Sequence, residues 1–280
     1  MSHRKIILSL PEDISIREAA DHIFKRPSLS ISPDTLLPQV ATFLAIGPQI
    51  YVDGIVVTVG KAPIGRIGSK HILQNIIISP RNGWLNTTAS ELMDRNFPSV
   101  DMNSPIGTAM KIFGETRFAF LPITEKGWLI ASLGIRDILS LIINNNIDTN
   151  ASHVSSPTIC VAKETNLRHA LDIMLIKSIR NVVIRDGTST YIINDRKILE
   201  FLFSPKGREI LTIGITEIGR INVGDLDLIP ISIISDDISI TEAAKLLMDV
   251  RTPCLLFENS IVTPWDIVMK TIGKNFLTRL

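Results

Sequence analysis

The sequence has almost no excess of either charge: 29 Lys and Arg stand against 28 Asp and Glu, for a net charge of +1. No whole-molecule field therefore exists to hold a polyanion by counterion release, which leaves nucleic acid unsupported as a partner while a local basic patch stays open. Cysteine is scarce. The two present, Cys160 and Cys254, lie in apolar, strand-like stretches 94 positions apart, which excludes a disulfide framework and points to reduced, buried thiols in a cytoplasmic protein. No uncharged run reaches the ~18 residues of a membrane span, because the longest apolar stretch, Trp128 to Ile143, is broken by Arg136 and Asp137. The short run Ile6 to Leu8 is cut off by Pro11, Glu12 and Asp13, so it reads as a first strand and not as a signal segment.

Enzyme signatures are missing too. The chain contains no Gly-x-x-x-x-Gly-Lys-Ser/Thr loop, no Gly-x-Gly-x-x-Gly after a strand and no Gly-x-Ser-x-Gly elbow. Its five histidines form no i,i+4 pair on a helix and its cysteines no Cys-x-x-Cys, so a metal site lacks ligands at workable spacing. One glycine-rich run before a helix, Gly65-Arg66-Ile67-Gly68-Ser69-Lys70, has the form of a phosphate cradle. Taken together, the reading is a non-catalytic protein.

What the chain does have is apolar residues and a repeat. At 45% hydrophobic and 20% charged it can bury enough surface to offset the entropy of ordering, and 280 residues suffice for two cores. A unit of strand, Ala-centred amphipathic helix, two apolar strands and a second helix recurs four times. The first copy has a strand Ser28 to Ser32, a helix Leu36 to Ile46, strands Gln49 to Val59 and near Ile64 to Ile67, and a helix from Ser69. The second has Ser99-Val100, a helix Ile106 to Phe113, strands Phe118 to Thr124 and Trp128 to Leu133, and a helix opening at Ile135. The third runs through Thr158 to Val161, Leu167 to Leu175, Asn181 to Arg185, Tyr191 to Ile193 and a helix around Lys197. The fourth has Ile229 to Ile234, Thr241 to Met248, Cys254 to Phe257, Ser260 to Val262 and a helix with Trp265 and Asp266. Matched positions fall at 71, 137, 197 and 266, in steps of 66, 60 and 69 residues. Short helices at Ile16 to Phe24 and Ala89 to Asp94 precede two of the copies, and the polar stretch Asn144 to Ser156 is the expected joint.

This unit, with its Pro33-Asp34-Thr35 opening and its Gly134-Ile135-Arg136-Asp137-Ile138-Leu139 and Thr263-Pro264-Trp265-Asp266-Ile267-Val268 closes, resembles the cystathionine-β-synthase (CBS) domain. The resemblance extends from about Pro27 to the C-terminus. It implies an α+β fold of four tandem β-α-β-β-α repeats, paired into two Bateman modules in a pseudo-twofold disc. The first module would span residues 1–146, with repeats at about 27–78 and 93–143, and the second 147–280, with repeats at about 153–203 and 225–275. Apolar residues of the closing helices, Ile138, Leu139, Ile267 and Val268, would pack one module on the other, either within one chain or in a homodimer.

In the family such clefts bind adenosine compounds, and an aspartate at the start of the last helix accepts the ribose hydroxyls; a carboxylate suits a cis-diol because it accepts two hydrogen bonds at once. Carried over by position, that residue is Asp266, with the hydroxyl of Thr263 before it and Trp265 between; in the second copy it is Asp137, with Arg136 beside it and Gly134 where Thr or Ser is usual. Arg117, Arg180 and Arg251 are candidate cations for phosphates, or solvated loop residues. Gly68 and His71 in the first copy, and Asn194 and Lys197 in the third, offer no carboxylate, so those sites would be empty or take something other than a nucleoside. Both aspartates equally suit a helix's first turn without any ligand, and Trp265 suits an adenine stack or a sealed interface. The implied function is a regulatory, energy-sensing protein that binds AMP, ADP, ATP or S-adenosylmethionine, with or without Mg²⁺, and signals to a separate effector protein, the repeats leaving no room for a fused one. The alternative is a ligand-free scaffold docking onto protein, nucleic acid or the ribosome.

Overall fold

A computed structural model describes residues 14–46, 53–78 and 83–273 of the chain; the strand expected at Ile6 to Leu8 and the beginning of the one expected from Gln49 lie outside the described residues. The first three repeats build the same small sheet, because one β-α-β crossover is followed by a hairpin. In the first, Ser30–Ile31 runs parallel to Ile55–Val59, which pairs antiparallel with Ala62–Ile67. In the second, Val100–Asp101 lies parallel to Phe120–Glu125, and that strand pairs antiparallel with Trp128–Gly134. The hairpin between them turns on Lys126 and Gly127, both at positive φ (51° and 81°), the geometry that matches the twist of the flanking strands. In the third, Cys160–Val161, Asn181–Asp186 and Ser189–Asn194 repeat the order.

The fourth repeat departs from the expected strand Ile229 to Ile234. Only Ile229–Pro230 is a strand, and it lies on the third repeat's sheet, antiparallel to Ser189–Asn194, while Ile233 makes a single parallel bridge to Leu256. Pro230 cannot donate to a ladder and so belongs on an edge. Reciprocally, Ser156–Pro157, which leads into the third repeat, pairs with Ser260–Val262 of the fourth. In the second module the two lead-in segments thus tie its two sheets together.

The helices follow their apolar spacing. In Ile106–Thr116 the buried residues are Ile106, Ala109, Met110 and Phe113, one stripe at helical period, and Ser239 with Glu242 forms a capping box that starts Ile240–Met248. One helix, Pro205–Ile213, was not expected; it buries only Gly207, Ile210 and Leu211, too thin a stripe to read from the sequence, and begins at a Ser204 cap with Pro205 in the first turn. Gly207 is required there, since a Cβ would approach the carbonyl of Phe201 to 2.1 Å.

Packing joins the repeats in two ways. Sheets meet within a module: Val183 and Ile192 of the third repeat bury against Cys254, Leu256 and Ile261 of the fourth, and the Leu129 amide donates to the Lys61 carbonyl (2.9 Å) between the first two. Helices meet between modules. Leu37, Leu44 and Ile76 share a core with Leu171, Ile198 and Leu202, joining repeats one and three; Phe113, Ile138 and Leu139 share another with Leu247, Ile267 and Val268, joining repeats two and four. The two modules therefore pair within this one chain, through the helix residues expected for it. The joint is less free than its polar composition suggests, because Ala151 and Val154 are buried in the second of these cores. Cys254 is buried as expected, but Cys160 is exposed, since it sits on an edge strand with no neighbour beyond it.

Candidate functional site

Asp137 and Asp266 occupy the same place in repeats two and four, in the first turn after the last strand, and both are buried, at 5% and 6% exposure. What surrounds them was not legible in the sequence. Asp137 Oδ2 accepts from the Gly134 amide (2.7 Å) and from Arg26 Nη2 (2.6 Å); its Oδ1 accepts from Arg26 Nη1 (2.9 Å) and lies 3.3 Å from His22 Nε2. The Arg26 fork thus grips both oxygens, the bidentate geometry a guanidinium is shaped for. Gly134 replaces the expected hydroxyl residue for a steric reason: a Cβ there would stand 2.6 Å from Asp53 Oδ2, and Asp53 is held in turn by Arg196 (3.0 Å).

Asp266 is held by different groups. Its Oδ2 accepts from the amide and the hydroxyl of Thr263 (3.0 and 2.6 Å), closing a capping box, and its Oδ1 accepts from Ser156 Oγ (2.6 Å) and pairs with Lys270 Nζ (2.9 Å). Lys270 also donates to Ser156 Oγ and the Ser155 carbonyl. A carboxylate offers about four acceptor positions; Asp266 has four donors around it, and Asp137 three with the His22 ring nitrogen as a fourth polar contact. Arg26 and Ser156 stand at equivalent points, each four residues before the strand that opens its module's first β-α-β crossover, at Ser30 and Cys160. No motif spacing flags either residue; only aligning the two lead-in segments on each other does.

A cleft lined by Arg26, Ser28, Asp53, Phe120, Ser132 and Gly134 adjoins the Arg26–Asp137 pair without Asp137 itself in its wall, and its cavity measures about 10 Å³, enough for one water molecule. The remaining expected site residues disperse. Arg136 turns away from the cleft and donates to the carbonyls of Leu247, Asp249 (2.8 Å) and Thr252 (3.3 Å), capping the C-terminal end of the helix Ile240–Met248 in repeat four. Arg117 is exposed, in the left-handed conformation that ends its helix, with its guanidinium 5.8 Å from the centroid of Trp265. Trp265 is partly buried against the core shared by repeats two and four, so it seals that interface. Arg251 is exposed and paired with Asp249 (2.8 Å), whose carboxyl is drawn down to about 2 by that hydrogen bond.

Cations gather near the clasps. Arg180 pairs with Asp195 (2.9 Å). Burial pulls Arg196 down to about 10, against the opposing pull of Asp53. Lys70, half-buried, is lowered by desolvation while facing Asp195, Arg180 and Arg117. His71 is lowered by burial and sits edge-on to Phe118, whose face carries the Arg66 guanidinium at 3.5 Å. Among the described residues no group of three His, Cys, Asp or Glu is placed to hold a metal ion, and no helix is long and apolar enough to cross a membrane.

The CBS domain family model matches residues 89–144 and 151–204. No curated protein matches the chain. Among solved structures, a protein of Methanocaldococcus jannaschii described as a proposed archaeal homologue of g-AMPK is similar over 94% of this chain and 100% of its own, at 16% identity and a TM-score of 0.75. A conserved protein of Pyrococcus horikoshii is similar over 88% of this chain and 96% of its own, at 14% identity and a TM-score of 0.52. At these identities the likeness is one of fold. The chain thus carries CBS domains at residues 89–144 and 151–204, and the same β-α-β-β-α unit recurs on either side of them, the four repeats pairing as two Bateman modules.

Proposed function

We propose that the chain is a non-catalytic regulatory protein that senses adenosine-containing ligands (AMP, ADP, ATP or S-adenosylmethionine) in its module clefts and signals to a separate effector protein. The observation that carries this reading is the equivalent placement of Asp137 and Asp266, buried carboxylates at the positions where the family clasps ribose, one in each module. Their closest partners from outside the capping turn, Arg26 and Ser156, come from lead-in segments and are replaceable donors, so a ribose diol can take their place. Occupancy would shift the arrangement of modules by the ligand's differential affinity for it.

A second reading, a ligand-free scaffold docking onto protein, nucleic acid or the ribosome, is favoured by one observation: the acceptor positions of both aspartates are already filled within the chain. Thermal melting separates the two. A nucleotide that binds only the native state, at ~100 times its dissociation constant, adds ~2.7 kcal/mol of stability. Titration calorimetry with AMP, ATP and S-adenosylmethionine on the wild type, Asp137→Ala and Asp266→Ala then assigns the sites. Absence of both a melting shift and a heat signal for every compound removes the sensor reading.

A further inference from the structure

We propose that the chain associates with itself end to end, Trp128 on the outer rim of the first module entering a groove on the outer rim of the second module of another copy. The two hairpins of the first module end side by side, since the Leu129 amide donates to the Lys61 carbonyl. Their last ladder pairs are Val59 with Ala62 and Glu125 with Trp128, where the third repeat has the polar pair Asp186 and Ser189. Val59 is 59% exposed and Trp128 52%, although a turn region ordinarily carries polar residues. Trp84 is buried and Trp265 partly so, which makes Trp128 the tryptophan left in water. The second rim holds an open groove of about 660 Å³ between residues 188–191 and 230–233, whose apolar lining includes Tyr191, Ile231 and the half-exposed Ile233. A large, rigid aromatic anchor in such a groove is the usual centre of an interface.

Charge selects a second copy as the occupant. Residues 54–90, which supply one of the first-module hairpins, contain no Asp or Glu, and residues 221–244, which supply one wall of the groove, contain five acids and no Lys or Arg. Exposed Lys61 and Lys126 flank Val59 and Trp128, with Glu125 as the one acid at those two tips. Exposed Asp236 and Asp237 follow Ile233, and exposed Glu258 is drawn to the groove by Arg185, which donates to its carbonyl and pairs with Thr190 in the ladder. Lys163, beside Tyr191, is already spent on Asp186 (2.6 Å). Basic rim against acidic groove attracts, whereas two basic rims facing each other repel. The modules meet where the closing helices begin, at Arg136 with the Leu247 carbonyl and Arg196 with Asp53. The hairpin tips stand at the other ends of strands of six or seven residues, about 20 Å away, so the two rims lie at opposite ends of the molecule. Joining one to the other does not close on itself and gives an open row of copies. The patches are small, so the association is weak and depends on concentration. It does not require the module clefts to be filled.

The test is analytical ultracentrifugation of the full chain in nucleotide-free buffer, from about 1 to about 200 µM, the range in which a weak interface fills. The mean mass is expected to rise above 31.0 kDa with concentration and to pass the dimer value without a plateau. Trp128→Ser removes the anchor and Ile233→Lys sets a like charge in the groove; each alone should stay monomeric. Mixed in equal amounts, the two variants retain one intact groove and one intact rim between them, so they should form a heterodimer and nothing larger. Ser232→Lys, at an exposed position of the same wall, replaces Ile233→Lys if that variant does not fold, and circular dichroism verifies each. A wild-type mass that stays at 31.0 kDa over the whole range overturns the proposal. So does a folded groove variant that associates as the wild type does, the mark of two first-module rims meeting, or a mixture that remains monomeric.

Discussion

Arg136 is the residue on which the sequence and the structure part most sharply, and replacing it with methionine tests the difference. The family resemblance makes it a phosphate contact. The structure instead spends its guanidinium on three main-chain carbonyls, those of Leu247, Asp249 and Thr252, across the joint between repeats two and four. Methionine keeps the aliphatic stem and its packing, so the loss isolates the hydrogen bonds. Bonds from a charged donor contribute about 1.5 to 3 kcal/mol each. The side chain is half-buried and the freed carbonyls at the helix end regain some water, so the sum falls to about 2 to 4 kcal/mol. At about 2 cal/mol/K of unfolding entropy per residue, a chain of this length should lose about 3 to 7 °C in melting temperature without any ligand. Differential scanning calorimetry in nucleotide-free buffer measures it, and Arg136→Lys should fall between the two. A melting temperature within about 1 °C of the wild type would refute the reasoning and return Arg136 to the solvent or to a ligand.

Other consequences follow from the clasps and the thiols. Asp137→Ala leaves the Arg26 cation without its main partner and should cost about 2 to 3 kcal/mol, less than a fully buried pair because Arg26 is partly exposed; adding Arg26→Gln should recover part of the loss in a double-mutant cycle read by urea unfolding. Gly134→Ser, which restores the hydroxyl usual in the family, should destabilise by about 1 to 3 kcal/mol because the new Cβ displaces Asp53 from Arg196; a urea midpoint equal to the wild type's would show the space is there. Burial raises the Cys254 thiol to about 12, so at pH 8 about one molecule in ten thousand carries its thiolate. Iodoacetamide should therefore label the exposed Cys160 in the native protein, and both cysteines only in denaturant, as peptide mass mapping will show.

The sequence determined the repeat. A short continuous apolar run in Phe120–Glu125, buried along nearly its whole length, and apolar residues at a period of 3.6 in Ile106–Thr116 specify strand and helix locally, and their recurrence four times specifies the architecture. It also puts Asp137 and Asp266 in the first turn of the closing helices, because a first-turn aspartate is a local feature. The exposure of Cys160 lies beyond the sequence, since an apolar run does not reveal which strand ends a sheet. The thin stripe of Pro205–Ile213, the exchange of Ile229–Pro230 onto the third sheet and the pairing of repeat one with three and two with four depend on contacts between distant segments. The partners of the two carboxylates depend on them as well. Arg26 lies 111 positions from Asp137, and Ser156 lies 110 from Asp266. No periodicity carries information over that distance; only folding, by desolvating each aspartate beside a particular lead-in segment, decides which donor satisfies it.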